Sequence, residues 1–183
     1  MSATQIGLAE TTYLINKLST LVDFKKDLPL NLFKGETYKF WFFERPLLGY
    51  TDLVQGLALR SYIDYETDLL VKFSGSEIAE NLLYCVDREK SEAKIEWLSR
   101  NSLDFFCGKV GYPIVLFNRS FDWVAFESAF EEFGVIAVKE AASESGFCKY
   151  LNQEFISFDD FLSLAKGTNS EGLMAKEFLK YYG

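Results

Sequence analysis

SFDWVAFESAFEEFG, residues 120–134, is the stretch whose conformation decides the fold. Phe121, Trp123, Phe126, Phe130 and Phe133 are interleaved with Glu127, Glu131 and Glu132. At 100° per residue, Ala129, Phe133, Phe126, Phe130 and Trp123 fill one arc. Glu127, Glu131, Ser128 and Glu132 fill the opposite arc, with Val124 among them. The spacing predicts an amphipathic helix with its aromatic side on a sheet. Asp122 would be its N-cap, Phe121 would staple onto Phe126, and Gly134 would supply a left-handed exit.

On either side lie PIVLF (113–117) and VIAVK (135–139), short apolar runs rich in β-branched residues that read as buried strands. Strand, helix and strand then occupy about 27 residues, close to the minimum for a parallel crossover. TYKFWFFE (37–44) is a further strand, its near-continuous apolarity suiting cover on both faces. Residues 4–23 form a helix through Ile6, Leu14, Leu18, Leu21 and Val22. SGSEIAENLLYCVDRE (74–89) reads as a second, opened by Ser74 or Ser76 and burying Ile78, Leu82, Cys85 and Val86. Another starts at Ser91 and carries Ile95, Leu98 and Phe105 or Phe106 inward, until Gly108 and Gly111.

TDLVQGLALRSYIDYETDLLVKF (51–73) has two readings, a helix from Thr51 or a hairpin turning near Glu66 and Thr67. A short helical start followed by strands is the reading adopted. GFCKYLN (146–152) and EFISF (154–158) suggest short strands. In SFDDFLSLA (157–165) Ser157 caps a helix and Asp160 completes a capping box. Residues 170–182 form a terminal helix with Leu173, Met174, Phe178, Tyr181 and Tyr182 on its buried side. The expected fold is α/β (mixed α+β possible), one domain over 1–183. It has a central mixed sheet, a C-terminal βαβ-like unit and flanking helices.

Composition narrows function mainly by exclusion. Histidine is absent, which removes Ser–His–Asp and Cys–His nucleophiles, imidazole acid–base catalysis and most transition-metal sites. GKVGYP (108–113) precedes a strand instead of joining strand to helix, so it is a turn and not a phosphate cradle. Asn118-Arg119-Ser120 matches the glycosylation tripeptide, which matters only for an exported chain. Cys85, Cys107 and Cys148 are odd in number, widely spaced and in no CxxC pair. Reduced thiols in a cytoplasmic protein are expected. The N-terminal residues have no signal-peptide pattern, and no run approaches the ~20 apolar residues of a membrane span. The net charge of −8 opposes nucleic-acid and anionic-lipid surfaces and favours a basic partner.

Two acidic groupings remain. Asp64, Glu66 and Asp68 would share one face of a strand, where they could bind Mg²⁺ or receive Lys and Arg from a partner. Glu127, Glu131 and Glu132 would form an outward stripe. As a helical i,i+4 pair, Glu127 and Glu131 would cost about 0.2–0.5 kcal/mol, with no basic residue in that helix to offset it. A surface kept acidic at such a cost suits a basic partner.

The profile is similar to that of small bacterial immunity or inhibitor proteins that block nucleic-acid-cleaving toxins. It implies a non-enzymatic protein-binding module without cofactor, meeting a basic nuclease-type toxin through those six carboxylates. The alternative is a carboxylate-dependent metal hydrolase or nuclease-like enzyme using Asp64, Glu66 and Asp68. A third possibility is a pocket lined by surplus Tyr and Phe, recognisable as a deep aromatic cavity instead of a flat acidic face.

Overall fold

In the computed structural model, which describes residues 2–183, the stretch at 120–134 is a β-hairpin and not a helix. Its arms are the sixth and seventh of eight strands, β6 (Trp123–Glu127) and β7 (Phe133–Lys139), paired antiparallel. Side chains alternate: Trp123 and Ala125 enter the core on one face of the sheet, Val124 and Phe126 the core on the other. Because both faces are covered, the strand is apolar at every position and loses the alternation that would reveal it. The glutamates beyond it then imitate a helical period.

The remaining strands are β1 (Thr4–Gln5), β2 (Tyr38–Glu44), β3 (Leu69–Lys72), β4 (Leu83–Val86), β5 (Ile114–Asn118) and β8 (Ile156–Ser157). They form one eight-stranded sheet in the order β1-β4-β3-β5-β6-β7-β2-β8. Every pairing is antiparallel. The expected crossover is therefore an antiparallel meander, β5-β6-β7. Asn118, fully buried, holds its first turn, accepting the Asp122 N–H at 2.8 Å and donating to the Asp122 carboxylate at 2.8 Å. Asp122 thus closes a turn where a helix N-cap was expected.

The helices are α1 (Leu8–Leu21), α2 (Thr51–Tyr65), α3 (Ser91–Ser102), α5 (Gly146–Glu154), α6 (Phe158–Leu164) and α7 (Ser170–Tyr182). Between α3 and α5 lies α4 (Phe105–Gly108), a single turn whose residues have positive φ. Helices α2, α3 and α5 cover one face of the sheet through Leu57, Leu98 and Leu151; α1, α6 and α7 cover the other through Leu18, Phe161 and Phe178. The result is mixed α/β in one unit, with helices flanking a central sheet, as the sequence implies. Burial of two apolar faces supplies most of the driving force.

Four further expectations change. Residues 74–89 form a loop leading into β4, because Ser74, Gly75 and Asn81 have positive φ and LYCV finds partners on two sides. Residues 146–152 are helical, placing Phe147, Cys148 and Leu151 inward. At 51–73 the helix runs to Tyr65 and only Leu69–Lys72 follows as a strand, so the adopted short helical start with strands after it is replaced, and the hairpin alternative fails as well. In α7, Phe178 and Tyr182 are buried, whereas Leu173 and Tyr181 are exposed. The cap of α6 is as expected: Ser157 Oγ accepts the Asp160 N–H at 3.2 Å and donates to its carboxylate at 2.6 Å.

Candidate functional site

The hairpin separates the three glutamates of the expected stripe. Glu127 ends β6 opposite Ile114 and is only 1% exposed. Its Oε2 accepts the Leu47 N–H at 2.8 Å, and Oε1 is buried without a hydrogen-bond partner. Burial pushes its carboxyl above the ordinary range, opposed by the Leu47 amide, the Tyr112 hydroxyl and the charge of Arg45. Glu127 is an internal acid and cannot meet a partner protein across the surface. Glu131 and Glu132 lie in the loop at 128–132, half-buried and exposed respectively.

That loop is held from beneath. Arg45 Nη1 donates to the Ala129 carbonyl at 2.9 Å, and the Arg45 amide donates to the Glu132 carbonyl at 2.9 Å. Its guanidinium also stands 5.6 Å from the centre of the Tyr112 ring. Ser128 Oγ accepts the Phe130 N–H at 3.1 Å, a side-chain turn that projects the next residue outward. Phe130 is consequently 84% exposed, the most exposed large apolar side chain of the described residues. The helical reading had placed it against the sheet.

Around Glu131, beside Phe130 in the same loop, the fold brings charges from separate elements to bear. Partial burial raises the Glu131 carboxyl, and the charges of Asp27, Glu132 and Glu177 raise it further while Arg45 opposes them. Asp27 is spent partly on the Leu28 N–H at 2.8 Å, and Glu177 pairs with Lys180 at 2.5 Å. No sequence period connects Asp27 and Glu177 to the hairpin, so reading the chain locally misses them. The tip thus carries an exposed aromatic side chain in the same loop as Glu131 and Glu132, a combination suited to Lys and Arg from a partner.

The other acidic grouping disperses. Asp64 is in the last turn of α2 and packs against Gly146, the first residue of α5, with Oδ2 buried and unpartnered. Glu66 is the exposed left-handed cap of α2, at φ 55°. Asp68 lies in the following loop, its carbonyl accepting the Arg119 N–H at 3.1 Å. Among the described residues no three His, Cys, Asp or Glu side chains converge as metal ligands. The shared strand face on which that grouping depended does not exist, because the segment is a helix end.

No described helix is long and apolar enough to cross a membrane. Comparison with family models, curated proteins and solved structures gives no match for this chain.

Proposed function

We propose that the protein is a non-enzymatic acidic binding module that docks a basic protein through the β6–β7 hairpin tip. The best fit is an inhibitor of the immunity type, neutralising a basic, nuclease-type bacterial toxin in the cytoplasm. Phe130 is the observation that carries the reading: a nearly fully exposed aromatic on a braced loop that also carries Glu131 and Glu132. Aromatic anchors ringed by charge are characteristic of interface hot spots, and the net charge of −8 would accelerate encounter with a cationic partner. Glu131 and Glu132 are the residues expected to touch it. The free thiols of Cys85, Cys107 and Cys148 suit a reducing compartment.

The test compares immobilised wild type with Phe130→Ala/Glu131→Lys/Glu132→Lys, and with Glu66→Lys as a control remote from the tip. Host lysate is passed over each across a salt series. A basic protein retained by wild type and Glu66→Lys, released by salt and lost with the tip variant is the expected result. Its nuclease activity should be inhibited by the wild-type chain. Retention indifferent to the tip, or no basic protein held even at low salt, would refute the proposal.

A further inference from the structure

A cavity of about 640 Å³ lies far along the sheet order from the hairpin, beside β1, β4 and α3. Its size is that of a small-molecule pocket. Tyr84, Trp97 and Phe106 form an aromatic wall: Tyr84 and Phe106 are stacked at 5.3 Å, and Trp97 meets Phe106 edge-on at 5.4 Å. Phe106 is held there by α4, where Phe105, Phe106 and Cys107 all adopt left-handed backbone at φ 52°, 55° and 58°.

The chain has three tryptophans. Trp41 donates its indole N–H to Asn152 at 2.9 Å, and Trp123 donates to Ser61 at 2.8 Å. Trp97, half-buried on the cavity wall, has no acceptor for its indole N–H among the described residues. Tyr84, 4% exposed, likewise has no partner there for its hydroxyl. Neither atom is sealed in the core, since the sealed orphans are Asp64 Oδ2 and Glu127 Oε1. Both residues line the cavity, so these two donors are available to an occupant in place of water.

Charge specifies the occupant further. Of 27 acidic residues in the chain, none lines this cavity, and its one charged lining residue is Lys109. A cavity of aromatic faces, free donors and a lone ammonium within an acidic protein selects an anionic, acceptor-bearing aromatic. We infer that this cavity binds a one- or two-ring aromatic carboxylate. The ring packs on Tyr84, Trp97 and Phe106, and the carboxylate is directed to the Tyr84 hydroxyl, the Trp97 N–H and Lys109. The site is independent of the hairpin tip.

The three indole N–H groups supply the readout. Benzoate, 2-naphthoate and indole-3-acetate are titrated into the full chain while the three indole ¹H–¹⁵N resonances are followed. With at least one of these acids, the Trp97 resonance should move saturably, and those of Trp41 and Trp123 should stay in place. Tyr84→Phe and Lys109→Met should each weaken that acid about tenfold, the scale of a lost hydrogen bond to a charged group. The unmoved Trp41 and Trp123 resonances report that each variant is folded. 2-Naphthylmethylamine, with the opposite charge, should bind at least about tenfold more weakly than 2-naphthoate. The inference is overturned if no acid shifts Trp97 saturably up to about 10 mM, or if all three resonances move alike. Affinity unchanged in both variants, or equal for the amine, overturns it as well.

Discussion

The carboxylate of Glu127, at the end of β6, accepts the backbone N–H of Leu47 at 2.8 Å and ties the hairpin to the turn that follows β2. Its other oxygen is buried without a partner, so the ionised form is accommodated poorly and the carboxyl lies above its ordinary 4.5. Between 4.5 and that raised value the folded chain binds more protons at this site than the unfolded chain. Its contribution to stability therefore falls as pH rises through the window. Glu127→Gln keeps the acceptor for Leu47 and should remove this slope, gaining on wild type as pH rises from 4 to 8. Glu127→Ala orphans the Leu47 amide and should lose about 1–3 kcal/mol. Urea unfolding across pH measures both.

Gly134 pairs with Phe43 across β7 and β2, and a Cβ there would lie 2.1 Å from Phe43 Cζ. The ring of Phe43 is buried, so it has little room to yield. Gly134→Ala should cost about 1–3 kcal/mol through overpacking. Phe43→Leu in the same chain should recover part of that loss, a coupling visible in a double-mutant cycle.

That glycine also shows where the sequence is ambiguous. At the end of an apparently helical stretch, Gly134 imitates a C-cap; in the fold it makes room for an aromatic ring from the neighbouring strand. Nothing local distinguishes these roles, because the deciding atom belongs to residue 43. The same non-local cause hides β6 and β4, whose partners cover both faces. Strands at 37–44, 113–117 and 135–139 were legible since no charged residue within them mimics a helical period. The α6 cap was legible because its chemistry is local to Ser157 and Asp160. For the site, the exposure of Glu132 and the partial exposure of Glu131 follow from the sequence, whereas the burial of Glu127 does not. WVAFE ending in a Ser-initiated loop was the available signal, with Trp123 and Ala125 on one face and Val124 and Phe126 on the other.

Phe130 separates binding from folding. At 84% exposure its side chain contributes little to the core, so Phe130→Ala should change stability by no more than about 0.5 kcal/mol. Partner retention should fall by at least about tenfold, as for an aromatic anchor. Parallel thermal unfolding and affinity measurements on the same preparation give the two numbers.

Lys72, in β3, is fully buried and donates to the Phe73 carbonyl. Burial pushes its amine down to about 8 from 10.5, with the charge of Glu77 opposing. Between those values the unfolded chain binds more protons, so the contribution of this residue to stability increases as pH rises from about 8 to 10.5. At neutral pH the buried ammonium is a burden. Lys72→Met, similar in volume and uncharged, should be more stable than wild type by about 2 kcal/mol at pH 7. The difference should narrow through the alkaline window, as followed by denaturant midpoints at successive pH values.

The left-handed turn at α4 makes an opposite prediction for two substitutions at one position. Cys107 has φ 58° and ψ 41°, a conformation that opposes Cβ to the following carbonyl. Its amide donates to the Asp104 carboxylate at 3.1 Å, a bond that glycine would keep. The thiol adds only a weak 3.6 Å contact to the same carboxylate. Cys107→Gly relieves about 1–2 kcal/mol of backbone strain and sacrifices about 0.5–1 in unfolded-chain entropy. A net gain near 0.5–1 kcal/mol should raise the melting temperature by about 1–4 °C. Cys107→Val, branched at Cβ, should lower it, because β-branched side chains tolerate positive φ least. Destabilisation by glycine, or indifference to valine, would show that residues 105–108 are not left-handed in solution.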